Sequence, residues 1–377
     1  MSTLLPFIRR CALALALAVL TLGIPTAIES PVGSTPSTKI SLGAADDSTT
    51  TSTQLPVTTT TFPPTVGNTV QVPGEPNALL RAGGNIWVAS CTGDALTEIN
   101  SSTKQIIQQL DNSDGQNYEF DCPDALALVG SNIWVANYDG NSLTELNASN
   151  GALVTTLTGR GIINPIQLST HILNGESGIW VLSAPGNISN ITLAEFNTSN
   201  GELLRITIQK ASNSWLLTEP DCMISTGTTL WISDFQTGEV LEFSANSGAF
   251  LRSTHGGPQV GYFSSVSYQD GRLWVSTEDD FHVEVEFNAV TGAFVKEIFS
   301  PLIPNSNQIV SAGADVFVVS DNPNDSVIEF NSNTRKLVRI IDRSNLGHGQ
   351  GIKALLVDGS ELWVANYTAG SVSFFRT

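Results

Sequence analysis

The sequence predicts an all-β protein: a seven-bladed β-propeller whose ring is closed by an N-terminal strand completing the last blade. Three observations carry this expectation. A short aromatic-centred phrase returns seven times, at intervals of 43 to 51 residues. Each copy sits among short β-type runs broken by Gly, Asn and Asp turns. The last copy is one strand short, and an unassigned strand-like piece, Thr69-Val70-Gln71-Val72, stands ahead of the first. Self-similarity at this period, with several strands per unit, is the mark of propeller blades.

The phrase reads Ile86-Trp87-Val88-Ala89-Ser90, Ile133-Trp134-Val135-Ala136-Asn137, Ile179-Trp180-Val181-Leu182-Ser183, Leu230-Trp231-Ile232-Ser233-Asp234, Leu273-Trp274-Val275-Ser276-Thr277, Val316-Phe317-Val318-Val319-Ser320 and Leu362-Trp363-Val364-Ala365-Asn366. The second repeat shows how a blade is spelled. Asp124–Val129 is strand a, Gly130-Ser131 a tight turn, Asn132–Asn137 strand b, Ser142–Asn147 strand c and Ala152–Leu157 strand d. Glycine suits the tight turns because it adopts positive φ without strain. A lone four-stranded sheet cannot bury both faces. Seven of them around an axis bury the faces against one another, and the large strand-b aromatics belong in that inter-blade core.

Three regions of different composition follow in order. Residues 1–27 read as a signal peptide, with Arg9-Arg10 ahead of the apolar run Cys11–Ile24 and a small-residue cleavage site at Pro25-Thr26-Ala27. A retained N-terminal anchor is the alternative. Residues 28–68 read as a disordered Ser/Thr/Pro-rich linker with too little apolar surface to offset the entropy of ordering. Residues 69–377 are the propeller, about 44 residues per blade. The formal net charge of −18 argues against nucleic-acid and anionic-membrane partners. It fits a secreted or cell-surface protein, expected as a monomer, with a protein or glycan as partner.

Without the leader, three cysteines remain. Cys91 lies in the b-to-c loop of repeat one and Cys122 in the connection entering repeat two. Neighbouring blades bring these loops together, so a Cys91–Cys122 disulfide is expected, with Cys222 free.

The repeat unit is Pro-Asp/Asn, an apolar strand, Leu/Ile-Trp-Val-Ala-Asn, a polar Gly-containing loop, Leu/Val-Thr/Ser-Glu-Ile/Leu-Asn, then Ser/Thr-Asn-Gly. It resembles the YVTN-type propeller repeat, within the wider NHL-like class. The resemblance covers all seven repeats and not the first 68 residues or so. It implies an exported or surface-located propeller and says little about activity. The chain is also loosely similar to virginiamycin B lyase-like propellers, which implies a histidine, a glutamate and magnesium if it is an enzyme. Quinoprotein propellers share the Thr291-Gly292 type of turn but carry their tryptophan on strand d, so that resemblance loses support.

Because a–b and c–d turns are short, the long b-to-c and d-to-a connections share one face, where function on a rigid scaffold usually rides. Ten residues before the strand-b aromatic stand Asn77, Asp124, Asp221, Ser264 and Asn307. Their register points them into the mouth of the central channel as ligand-binding candidates. Asp124 and Asp221 could hold a divalent cation, Ca²⁺ or Mg²⁺; the competing reading is that they cap turns through their own backbone. All four histidines, His171, His255, His282 and His348, are expected on or near this face. His282 with Glu284, and His255 or His348, are the catalytic candidates for a general base with a carboxylate partner. Tyr118, Phe120, Trp215 and Tyr262 are expected either to stack on a ligand or to cover the ends of the core. The recurring strand-c glutamates, Glu98, Glu145, Glu195, Glu242, Glu286 and Glu329, are expected to be hydrogen-bonded structure. The leading reading is an exported binding or interaction module. The second is a propeller lyase or hydrolase with a metal or His/carboxylate site at the channel mouth.

Overall fold

The structure is a computed structural model that describes residues 53–54, 68–173, 176–186, 191–208, 217–256, 261–278, 283–299, 305–320, 325–342 and 351–377. The expected signal peptide, and the expected linker apart from residues 53, 54 and 68, lie outside these residues, as do Trp215, His282 and His348.

Seven antiparallel four-stranded sheets form a ring. In blade one, strand a is Pro76–Ala82, b is Asn85–Ser90, c is Ala95–Asn100 and d is Ile106–Asp111. The a strands of the other blades are Pro123–Val129, Pro165–Leu173, Pro220–Ser225, Phe263–Gln269, Ser306–Ala312 and Ile352–Asp358. Each a strand contacts the a strands of both neighbouring blades, all the way round, so these strands surround the axis. No helix occurs among the described residues.

Closure is by the predicted piece. Blade seven has three C-terminal strands, Ile352–Asp358, Glu361–Asn366 and Ser371–Arg376, and its outermost strand is Asn68–Gln71. Val70 pairs with Val372 and Gln71 with Ser371, and the Val72 N–H continues the ladder to the Gly370 carbonyl at 2.9 Å. Blades seven and one are tied further by Lys104–Glu361 and Arg81–Asp358 ion pairs. The Lys104 ammonium also lies 4.5 Å from the centre of the Trp363 ring. Within the segment expected to be unstructured, Thr53–Gln54 forms a short parallel strand beside Ile298 and Phe299 on the outer edge of blade five.

The core is inter-blade, for the reason the sequence suggests. Trp87 packs with Ile133, Val135 and Leu146 of the next blade; Trp180 packs with Leu230, Ile232 and Phe243; Trp363 packs with Ile86 and Val88 of blade one. All six described tryptophans and Phe317 are buried. Each rivets one blade to its successor, and truncating one to Ala would cost about 3–5 kcal/mol.

The strand-c glutamates share this layer. In six blades a glutamate stands opposite the strand-b aromatic, as in Trp87–Glu98 and Phe317–Glu329. All six are buried. Arg205, Arg252 and Arg339 on strand d meet Glu195, Glu242 and Glu329. Arg335 meets Glu286 at 2.6 Å. Glu98 accepts from Asn85 and Gln108, each at 2.6 Å, and Glu145 accepts from Asn132 at 2.7 Å. Burial pushes the carboxyls of Glu145, Glu242 and Glu329 up. The repetition is structural: a buried carboxylate needs donors, and the sheet supplies them at fixed register.

Candidate functional site

The backbone builds one feature seven times at the start of strand a. In every blade the a–b ladder slips by one residue there. A bulge leaves the extra residue outside the ladder and re-aims its side chain. The residues at the slip are Asn77, Asp124, Ile166, Asp221, Ser264 (with Ser265), Asn307 and Lys353. Proline precedes four of them, Pro76, Pro123, Pro165 and Pro220, fixing φ at the entry to the strand.

These side chains touch from blade to blade. The Asn77 amide donates to Asp124 Oδ1 at 2.8 Å. The Ser264 hydroxyl lies 3.0 Å from Asp221 Oδ2, 3.1 Å from Glu278 Oε1 and 3.0 Å from the Asn307 carbonyl. The structure therefore gathers Asn77, Asp124, Asp221, Ser264 and Asn307 at one end of the innermost strands. Two members escaped the sequence reading. Lys353 stands ten residues before Trp363, in the same register, and was passed over because only small polar residues were sought. Ile166 stands fourteen residues before Trp180 because the blade-three hairpin is longer, with strands Pro165–Leu173 and Glu176–Ser183.

Neither described histidine, His171 nor His255, lies among them. The longer hairpin carries His171 to the a–b turn end, the face opposite the mouth, which corrects the expectation of a long-loop position. It is buried, with Nδ1 3.0 Å from Glu195 Oε1 and Nε2 3.0 Å from Asn246 Oδ1 in the next blade. His255 ends strand d of blade four, at the outer rim, where Nε2 pairs with Glu239 at 2.7 Å. Glu284 is wholly buried and accepts from Ser306 Oγ of blade six at 2.5 Å. The described catalytic candidates are thus used in packing or stand away from the axis.

The aromatics divide likewise. Tyr118 is no ligand platform: it is wholly buried, its hydroxyl donates to the Gly151 carbonyl at 2.8 Å, and it stacks on Phe120 with centroids 4.9 Å apart. Tyr262 is 44% exposed and stacks on Phe235, centroids 4.8 Å apart and planes 16° from parallel.

A second acidic patch lies between blades one and two, beside the Cys91–Cys122 disulfide. A shallow cleft of about 450 Å³ is lined by Asp94, Asn112, Glu119, Phe120, Asp121, Gly140, Ser142 and Thr158. Asp94 Oδ1 accepts from the Cys122 N–H at 2.8 Å. Partial burial, then the neighbouring Asp94 charge, push the Asp121 and Asp139 carboxyls up, with Asp139 adding to the effect on Asp121. Among the described residues no group of three or more His, Cys, Asp or Glu has the arrangement of a metal site. The mouth's oxygen ligands are carboxylates, a hydroxyl and a carbonyl, which suit a hard cation only as a mixed set.

No protein-family model matches the chain, and no curated protein matches its sequence. Solved structures do resemble it. A chain of the Kuenenia stuttgartiensis hydrazine synthase superposes with a TM-score of 0.64 at 13% identity, covering 82% of this chain and 97% of the other. A chain in the crystal structure of a mitotic checkpoint complex superposes with a TM-score of 0.65 at 14% identity, covering 95% and 99%. At such identity the likeness is one of fold. The chain is a seven-bladed β-propeller.

Proposed function

We propose that this chain is an exported, cell-surface-associated propeller of YVTN/NHL type, and that it works as an interaction module engaging a protein partner through the mouth of its long-loop face. One observation carries the reading: the strand-a bulges of six blades place Asn, Asp, Ser and Lys residues at one end of the innermost strands, with Ile166 in the remaining blade, whereas His171 and His255 are engaged elsewhere and Glu284 is held by Ser306. Rigid scaffolds that aim varied polar side chains into one opening are suited to recognition. The solved propeller that sits in a checkpoint complex is consistent with a protein as the partner class. The sequence features of residues 1–27 and the excess of acid support export.

The test is site-specific photo-crosslinking in intact cells. A crosslinker replaces Gln236, on the b-to-c loop of blade four, or Val290, 77% exposed on a c–d turn of the opposite face. A recurrent adduct from position 236 and none from 290 supports the reading. Equal labelling, or adducts from 290 alone, overturns it. Fractionation of the same cells tests export: recovery in the cytosol with residues 1–27 intact would refute it.

A further inference from the structure

The outer edge of a sheet offers unpaired N–H and C=O groups to any strand that reaches it. Among the described residues, only blade five has taken up a strand beyond its four. The fifth strand of its sheet is Thr53–Gln54. It lies parallel to strand d, with Thr53 paired to Ile298 and Gln54 to Phe299. Burial agrees with the pairing. Leu110, Thr254, Ile298 and Ile341 occupy one register on the outer strands of blades one, four, five and six, opposite the second residue of strand c. Leu110, Thr254 and Ile341 are 5–9% exposed, and Ile298 is not exposed at all.

The direction of the added strand places the chain that leads into it. Strand a starts at the mouth, so b returns to the mouth, c runs away from it and d returns again. Gln54, beside the last residue of strand d, is therefore the mouth-side end of the added strand, and Thr53 is entered from the opposite face. The closing strand has the same polarity. Asn68–Gln71 is antiparallel to strand c of blade seven, with Gln71 opposite Ser371 on the mouth side and Asn68 opposite Phe374. At both attachments the chain arrives from the face opposite the mouth. One molecule can make both. From Gln54 to Asn68 the chain reaches at most roughly 46–50 Å. It has to pass two inter-sheet steps of ~10 Å, wider at the rim, and one strand length of ~20 Å.

An added strand of this kind is held by main-chain bonds and makes little demand on its own side chains. That suits Thr51-Ser52-Thr53-Gln54, which has no apolar anchor. A linker joined to the ring at Asn68 alone leaves the ring free to swing; a second attachment two blades away holds it at one attitude. We infer that Thr53–Gln54 is a strap that fixes the linker to the rim of blade five, so that the mouth faces away from the surface to which the linker leads. This rests on the interaction reading above and says how that face is presented.

The strap is tested by photo-crosslinking within the purified full chain, mapped by mass spectrometry. A crosslinker replaces Thr51, which comes level with Lys296 if the strand runs on by two residues. Adducts on Phe294–Lys296 should exceed those on His255 or Tyr262, both on the mouth side, at least fivefold. Thr53→Pro with Gln54→Pro removes both N–H donors and should cut the yield at least fivefold. Thr53→Ala with Gln54→Ala keeps them and should leave the yield unchanged. Even labelling of all rims, adducts concentrated at His255 or Tyr262, or a yield indifferent to the prolines overturns the strap. So do adducts that join two chains and vanish on dilution, since they assign the edge to a second copy. On intact cells, an antibody should stain an epitope inserted at Gln236 at least fivefold more than the same epitope at Val290; equal staining overturns the outward-facing mouth. If the strap fails while Gln236 still yields its crosslinked partner, the interaction reading stands without it. If the strap holds and Gln236 yields none, the interaction reading falls alone.

Discussion

Removing the closing strand is the most direct perturbation of the ring. Deleting residues 69–73 strips blade seven of its outer strand and takes away Val70 and Val72, which pack with Ile86, Val88, Trp363, Val372 and Phe374. Fully burying a valine contributes about 1.5–3 kcal/mol; with Val72 buried and Val70 partly so, the two together account for roughly 2–5 kcal/mol. The lost ladder bonds and the newly open edge of Ser371–Arg376 add to that. Against a typical net stability of about 5–15 kcal/mol, the deletion should remove a third or more. Urea unfolding followed by tryptophan fluorescence measures it, because six buried tryptophans report six of the seven blade interfaces, Trp363 among them at the seam of blades seven and one. The complementary variant joins the same strands covalently. Val70→Cys with Val372→Cys replaces a directly paired couple and closes a loop of about 300 residues. Chain-entropy arithmetic gives a ceiling of ~6 kcal/mol, with less expected in practice. A deletion variant with an unchanged urea midpoint, or a crosslinked variant no more stable than its reduced form, would refute the closure argument.

Four further outcomes follow from the same structure. Glu145→Gln should be neutral or stabilising at pH 7. Burial raises the folded-state pKa of this carboxyl, so its contribution is present at acid pH and is lost as pH rises through the folded value. The variant's advantage in urea unfolding should therefore grow from pH 4 to pH 7, and a constant difference would contradict it. Asp121→Asn should likewise raise the melting temperature at pH 7 and not at pH 4, since partial burial, then Asp94 and Asp139, oppose ionisation there. Reducing Cys91–Cys122, separated by 31 residues, should cost about 3–4 kcal/mol. Cys222, half-buried with its thiol pushed up to about 11 by desolvation, should resist iodoacetamide at pH 8 in the native protein; rapid alkylation there would contradict the raised pKa.

What was legible in the sequence, and what was not, divides along physical lines. Periodicity spelled out the blades, because a large aromatic every 43 to 51 residues can be core only if each repeat packs on the next. Closure was legible from a deficit, a seventh repeat without strand d and an orphan Thr69–Val72. Register also located most of the mouth. It failed at Ile166, where a longer hairpin moves the bulge, and at Lys353, whose charge did not match the residue types sought. His171 was misplaced for the same reason as Ile166. Tyr118 was unreadable, since a loop aromatic can turn inward or outward, and only the Gly151 carbonyl that meets its hydroxyl settles which. Of the Ser264 cluster, register brought Asp221, Ser264 and Asn307 together, while Glu278 was not legible, because nothing in its position just past strand b tells which way its side chain turns.

The seven bulges have an evolutionary consequence. Each bulged residue stands outside the hydrogen-bonded ladder, so replacing it leaves the strand pairing of its blade intact. That freedom is unequal among the seven: Ile166 is buried in a core cluster with Trp180 and Leu182 and Ser264 bonds to Asp221 and Asn307 of the adjoining blades, whereas Lys353 is half-buried. A duplicated copy of this gene could therefore respell the ring's opening most readily at Lys353, changing what the ring recognises without touching a ladder or the core.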